Sequence, residues 1–388
     1  MQRRLLFLIS FLFSIGTFAN AQDIDTIAKN AIMIDAETGT VLLEKNSDYP
    51  FPPASMSKLM TVYMAFDQIR AGNISLEDEV TVSREQWRRL NNLGSTMFLG
   101  SGDVVTVHDL LRGIIVLAGN DAAVVLAEYI GDEESAFAAW MNDKAVEIGL
   151  KDSHFVNAHG LPADGHRMSA RDLARLAQVL VNEFPELYKM FGETTYLYKQ
   201  FTGNMYNRNP LLGKFEGADG LKTGHTDEAG YCLTASAERD GRRIILVLAG
   251  LNSMSERQFE SQKLLGRAFR TYKNYSLFKA GDTVDSADVW LGKEGVVPLV
   301  IEQDVKLTLD RRQRDGMKVT LDYMTPIEAP IIKGQPIATM TVTAPTLEPK
   351  VYELVAGRDV EAVGGFGRLG AALSYMIFGS STDAAPSN

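Results

Sequence analysis

Cysteine is nearly missing from this chain, with Cys232 the one example among 388 residues. An internal disulfide is therefore excluded, and no second cysteine exists to share a metal. Set between Tyr231 and Leu233, the thiol reads as a packed core group. A basic excess is missing too: 39 basic residues face 49 acidic ones, for a formal charge of −10. No patch interleaves basic with aromatic side chains, which disfavours a nucleic-acid partner. The apolar run from Leu5 to Phe18 is too short for a comfortable membrane span.

What that run does fit is export. Met1-Gln2-Arg3-Arg4 gives a basic start, the apolar core follows, and Ala19-Asn20-Ala21 supplies a small-x-small end. Cleavage after Ala21 leaves 388 − 21 = 367 residues, ample for a large core and more than one domain. Loss of Arg3 and Arg4 takes the charge to −12. An exported chain without disulfides fits a bacterial periplasm, where a large hydrophobic core makes staples unnecessary.

Periodicity divides the remainder. Ala31 to Asp35 and Gly39 to Leu43 predict a hairpin; Tyr231 to Ala237 and Arg243 to Leu251 predict another, turning at Arg239-Asp240-Gly241-Arg242. Between them, Val107 to Leu117, Ala122 to Ile130, Ser135 to Ile148 and Ala170 to Phe184 carry apolar residues at helical spacing. Gln258 to Tyr272 follows as a further helix. The expectation is an α/β (α+β) domain over residues 22–277, its hairpins joined in one antiparallel sheet beside a helical cluster. From 278 to 357 glycines and prolines separate short alternating runs, among them Lys306 to Leu309, Lys318 to Leu321, Ile337 to Val342 and Val351 to Val355. This reads as a small all-β domain, a spacer or a protein-contact module. In residues 358–379, Val363, Phe366, Leu369, Leu373, Met376, Ile377 and Phe378 form an apolar face at helical spacing, an amphipathic anchor for the inner-membrane surface. Packing onto the β domain is the alternative for this segment. The tail 380–388 is polar.

Three short motifs carry chemistry. Ser55-Met56-Ser57-Lys58 follows Pro52-Pro53-Ala54 and opens a run (Leu59, Met60, Val62, Tyr63, Met64, Phe66) that reads as a helix buried on most faces. At i and i+3 a serine and a desolvated lysine share a face, so the amine can take the serine proton and leave a nucleophile. The pattern alone is weak, since Ser276-Leu277-Phe278-Lys279 repeats it in a setting that suggests surface residues. Ala118-Gly119-Asn120-Asp121 sits between two apolar helices, where a turn can present the Asn120 amide to a cleft, or merely cap a helix. Lys222-Thr223-Gly224-His225-Thr226 stands just before the strand from Tyr231, as at the start of an edge strand. A lysine, a hydroxyl and an open glycine there suit a carboxylate-bearing peptide laid along the strand, and backbone N–H groups can help form an oxyanion hole.

Serine-x-x-lysine, then x-x-asparagine, then lysine-threonine-glycine is the order found in penicillin-binding proteins and class A β-lactamases. The chain resembles the low-molecular-weight penicillin-binding proteins that are serine-type D-alanyl-D-alanine carboxypeptidases. The likeness runs through Pro53 to Thr61, Met97-Phe98-Leu99, Leu111-Arg112-Gly113-Ile114, Gly119-Asn120-Asp121-Ala122, His159-Gly160-Leu161, Lys222 to Thr226 and Ala229-Gly230-Tyr231. It covers essentially the whole mature chain. The resemblance implies a transpeptidase/β-lactamase-like first domain. It also implies that Ser55, deprotonated by Lys58, attacks a terminal D-Ala-D-Ala of a peptidoglycan stem peptide, with the N–H groups of Ser55 and His225 holding the oxyanion. Lys222 and Thr223 beside Gly224 would grip the terminal carboxylate. Arg257, expected in a loop after the second hairpin, matches a family arginine near that carboxylate, and Arg208 is a weaker match. β-Lactam antibiotics would acylate Ser55. No metal or organic cofactor is indicated.

One position departs from the pattern. The middle motif of the family reads serine-x-asparagine, and here Ala118 replaces the hydroxyl that relays a proton to the leaving amine. A water or a neighbouring hydroxyl would have to serve instead. Two other readings follow. A β-lactamase would add a glutamate to activate the deacylating water, yet residues 145–167 offer Glu147, Asp152 and Asp164 with no Glu-x-x-x-Asn pattern. A non-catalytic peptidoglycan-binding protein is the reading that Ala118 motivates.

Overall fold

Strands form in this protein where β-branched and aliphatic residues run unbroken, because the sheet they build is covered on both faces. The computed structural model describes residues 25–200 and 202–364. The expected leader 1–21, most of the amphipathic stretch 358–379 and the tail 380–388 lie outside the described residues. Contacts divide the chain into two units, one ending at Tyr275 and the other beginning at Ser276.

In the first unit the two expected hairpins do join in one antiparallel sheet. Its five strands run in the order Val41–Lys45, Asn30–Asp35, Arg242–Leu251, Gly230–Arg239 and Ala218–Thr226. The strand Asn30–Asp35, between Val41–Lys45 and Arg242–Leu251, is buried along its whole length. Alternate side chains serve different cores. Ile32, Ile34, Ile245 and Val247 face the helical cluster, whereas Ala31, Met33, Leu246 and Leu248 pack with Leu264 and Leu265 of the long helix Met254–Thr271. That alternation is the two-residue period of a strand between two layers. The helices Val107–Ile115, Asn120–Gly131, Glu134–Glu147 and Ala170–Glu183 lie close to their expected bounds. Ser169 caps the last, accepting from the Asp172 N–H at 3.1 Å.

At the centre runs Lys58–Arg70, whose first nine residues are all buried. A helix apolar all round has no solvent face to offer and sits in the middle of the cluster. Burying Leu59, Met60, Val62 and Phe66 contributes roughly 1.5–3 kcal/mol each before entropy is subtracted. These contacts hold Lys58 in place.

The second unit is β-rich. Its larger sheet has six strands, ordered Lys318–Asp322, Pro336–Thr343, Lys350–Ala356, Val296–Ile301, Thr283–Trp290 and Ile327–Glu328. Thr283–Trp290 and Val296–Ile301 were not singled out from the sequence, since polar residues break the apolar alternation of the first and Pro298 interrupts the second. Residues 358–364 differ from the helical expectation. Val360 bridges Ile331 and Ala362 bridges Gly292, so this stretch is bound to the β unit as extended chain. Among the described residues no helix is long and apolar enough to cross a membrane.

Candidate active site

Ser55 lies in a tight turn, Ala54–Ser57, that runs directly into the central helix. Ala54 just before it has φ of 49°, a left-handed conformation that an alanine adopts only when the surroundings dictate it. The surroundings here are close backbone neighbours. A Cβ on Gly160 would fall 2.2 Å from the Ala54 carbonyl oxygen and 2.5 Å from Ser57 Oγ. On the other side, a Cβ on Gly224 would meet the Pro53 carbonyl at 3.0 Å. Glycine at both positions lets the His159-Gly160 loop and the edge strand close on the serine turn.

The Lys58 amine is wholly buried. Its Nζ lies 3.0 Å from Ser55 Oγ and 2.6 Å from Asn120 Oδ1, and it also donates to the His159 carbonyl. Asn120 is fixed the right way round, because its Nδ2 donates to the Leu93 carbonyl at 2.5 Å. Burial pushes the lysine pKa well below its ordinary value, and the positive charges of Lys222 and Arg208 push the same way. A neutral amine has two N–H donors and one lone pair. Asn120 Oδ1 and the His159 carbonyl can only accept, so they take the donors, and the lone pair is left for the Ser55 hydroxyl. The arrangement is that of a general base aimed at its nucleophile.

The middle motif is zipped to a neighbouring loop. The Asn120 N–H donates to the Ser95 carbonyl at 2.7 Å, and the Asp121 carboxylate accepts from the N–H groups of Met97 at 2.9 Å and Leu99 at 3.1 Å. Asn204 Nδ2 ties the Thr96 and Leu117 carbonyls together at 3.1 and 3.2 Å. Ala118 is buried in this turn at φ of 58°. Asn120 itself begins the helix Asn120–Gly131.

The third motif stands differently from its expected place. Lys222 to Thr226 belong to an edge strand of their own, Ala218–Thr226, instead of preceding one. Lys222 pairs with Thr234, Thr223 with Leu233, Gly224 with Cys232 and His225 with Tyr231. Three glycines in or near this segment hid the strand from propensity. An edge strand has a partner on one side, so every second N–H and carbonyl faces the opening beside Ser55. The His225 side chain is exposed and lies against Tyr231, ring centroids 4.0 Å apart.

Arg257 likewise departs from the loop expected for it. Ser253 caps a helix that starts at Met254, placing Arg257 in its first turn, buried. There it donates weakly to the Cys232 carbonyl at 3.4 Å, its guanidinium is 5.7 Å from the Tyr231 ring centroid, and its Nε has no hydrogen-bond partner. Arg208 is exposed and donates to Ser95 Oγ at 2.8 Å. Burial, reinforced by the charges of Arg208 and Arg257, lowers the Lys222 pKa to about 7. No carboxylate figures among the charges acting on Lys222 or Arg257. Converging buried cations without an acid, one of them with an idle donor, form a place for an anion.

Two contributors carried no sequence signal of their own. The His159 carbonyl is a backbone atom, visible only through the His159-Gly160-Leu161 motif. Ser95, whose carbonyl and hydroxyl touch Asn120 and Arg208, lies in an ordinary loop sequence. The His159 ring is held neutral, its pKa lowered to about 4 by burial and by the Lys58 charge. Cys232 is a buried strand thiol, raised to about 11 by burial, consistent with the core reading.

A serine and a depressed lysine beside an edge strand, in a sheet layered between helices, define the class of penicillin-recognising serine acyl-transfer enzymes. Comparison with known proteins narrows this. Residues 17–253 match the D-alanyl-D-alanine carboxypeptidase family, peptidase S11, and residues 272–362 match the penicillin-binding protein 5 C-terminal domain. The D-alanyl-D-alanine carboxypeptidase DacA of Escherichia coli K12 is 37% identical over 321 residues, 81% of this chain and 78% of that protein. DacC of the same organism is 35% identical over 370 residues, covering 92% and 91%. Penicillin-binding protein 5 of Haemophilus influenzae superposes with a TM-score of 0.78 at 32% identity, over 88% of this chain and all of that one. The chain belongs to the D-alanyl-D-alanine carboxypeptidase family, the penicillin-binding serine peptidases.

Proposed function

We propose that Ser55 is the acylated nucleophile of a D-Ala-D-Ala carboxypeptidase acting on peptidoglycan stem pentapeptides. The observation that carries this is the Lys58 amine, wholly buried and 3.0 Å from Ser55 Oγ, with its other partners restricted to acceptors. Lys58 takes the Ser55 proton as Oγ attacks the penultimate carbonyl. The N–H groups of Ser55 and His225 take the developing oxyanion. Lys58 then returns the proton to the leaving nitrogen, D-alanine departs, and water hydrolyses the ester. Asn120 holds Lys58 and the substrate backbone. Lys222, Thr223, Arg257 and, more peripherally, Arg208 receive the terminal carboxylate beside Gly224, which selects a chain end over an internal bond. A β-lactam presents the same carbonyl and carboxylate and acylates Ser55. A solved relative, penicillin-binding protein D2 of Listeria monocytogenes, has an ampicillin-bound form, with a TM-score of 0.56 at 30% identity.

The export leader puts this chemistry in the periplasm, after cleavage at Ala21. The segment from Phe366 to Phe378 attaches the protein to the outer face of the inner membrane, an inference from its amphipathic sequence. Ala118 lacks the relay hydroxyl, so proton return passes through water or a nearby hydroxyl and slows turnover without preventing it.

One pair of measurements tests the reading: D-alanine release from a pentapeptide stem, and intact mass after labelled penicillin. D-Alanine release with a lasting adduct on Ser55 is the expected result. No adduct would overturn the nucleophile assignment; an adduct without release would favour a protein that binds stems and leaves them intact.

A further inference from the structure

The β unit carries an apolar groove that the peptidase chemistry does not use. It encloses about 620 Å³ and is lined by Trp290, Met324, Pro326, Ile327, Pro336 and Ile337. Met324 is 87% exposed, and Ile332 on the neighbouring turn is 68% exposed. Large apolar side chains this open need a partner or carry a solubility cost.

Where the chain leaves the described structure says which partner. The Ile331 and Val360 backbones exchange hydrogen bonds at 2.9 Å in both directions, Ala362 bridges Gly292, and the Val363 N–H donates to the Leu291 carbonyl at 2.8 Å. Leu291 follows Trp290 directly, and the Trp290 carbonyl accepts from the Ala329 N–H at 2.9 Å. The exit at Gly364 is therefore stitched to the strands that bear the groove. Within two residues the sequence begins its amphipathic run, Phe366, Leu369, Leu373, Met376, Ile377 and Phe378. A segment that lies in a bilayer surface brings whatever is stitched to its start to that same surface.

We propose that this groove and its rim are a second, direct contact with the lipid bilayer, resting on the membrane-anchor reading above. Met324 and Ile332 enter the boundary between headgroups and acyl chains, and Trp290 sits at headgroup level, where an amphipathic ring is favoured. The surface offers no basic patch: Lys293 pairs with Glu361, and the one charged side chain lining the groove is the acidic Glu328. The contact is thus apolar and responds weakly to salt. With two attachment points the β unit is held at one height above the membrane, whereas one flexible joint would let it swing.

The test uses the full mature chain and mixed phosphatidylethanolamine and phosphatidylglycerol vesicles. An environment-sensitive fluorophore is placed at Met324→Cys, with Val351→Cys, at the far end of the strand Lys350–Ala356, as control. Cys232 is buried and does not compete for the label. On vesicle binding, position 324 should brighten and be quenched by spin-labelled lipid while 351 stays unchanged. Met324→Glu should weaken vesicle affinity about tenfold with D-alanine release unaltered. Vesicle binding with no response at 324 would overturn the second contact and leave the anchor standing. Loss of all vesicle binding would overturn both. A probe already shielded in buffer, and exposed by deleting residues 365–388, would assign the groove to the chain's own tail and overturn the lipid contact.

Discussion

The same four-residue pattern occurs in both units, and only one copy makes a site. Ser55 and Lys58 span a helical turn, so residues three apart share a face and their polar atoms meet at 3.0 Å. Ser276 lies exposed in the strand Lys273–Phe278, with Lys279 exposed just beyond it. In a strand, positions three apart point to opposite faces. Burial separates the copies further. Lys58 is surrounded by core, which pushes its pKa well below the ordinary value, while the Lys279 side chain lies exposed. Pattern specifies which atoms are present, and backbone geometry with burial specifies whether they react.

Substitutions at paired positions sharpen that contrast. Ser55→Ala should abolish the penicillin adduct and lower D-alanine release by at least about 10⁴-fold, with Ser276→Ala without effect. An adduct persisting on the Ser55→Ala protein would break the comparison. Lys58→Met should slow acylation by about 10²–10⁴-fold, while Lys279→Met changes nothing. Thermal unfolding has to accompany the Lys58 variant, since Met leaves Asn120 Oδ1 and the His159 carbonyl without their donor, at about 1–3 kcal/mol each.

The two buried lysines of the site should show themselves in pH dependence. Acylation requires neutral Lys58, so kcat/KM rises as pH passes the depressed pKa of that residue. Carboxylate capture uses charged Lys222, so kcat/KM falls above about 7, where Lys222 loses its proton in the free enzyme. Stability carries the opposite sign from that second limb. The folded pKa of Lys222 is about 7 against an ordinary 10.5, so between these values the unfolded chain binds the extra proton. Stability therefore rises with pH across that window, and the lysine is most destabilising below it. Lys222→Met should flatten that slope in a melting-temperature series, and an unchanged slope would show that Lys222 keeps its charge.

Ala118→Ser carries the smallest expected effect, a few-fold rise in turnover from restoring the relay hydroxyl. A rate unchanged or lower would mean that another group already fills the role. The backbone at position 118 is already left-handed, so serine brings little new strain.

Much of this protein was determined by its sequence alone. Hairpins, helices and the largely buried central helix follow from apolar periodicity, because burial on one face or most faces must be written into residue order. The three motifs are local in sequence, so their chemistry was legible as well. Elsewhere the reading failed for physical reasons. The strand holding Lys222 was hidden by its glycines, which weaken propensity but permit the approach to Ser55. Arg257 was placed in a loop because Ser253, its helix cap, precedes no strong apolar signal. Only the tertiary structure decided that Lys58 meets Asn120 and the His159 carbonyl, 62 and 101 residues away in the chain. No local rule encodes such distances. Packing of the helical cluster sets them, and with them the dehydration that makes an ordinary lysine into a base.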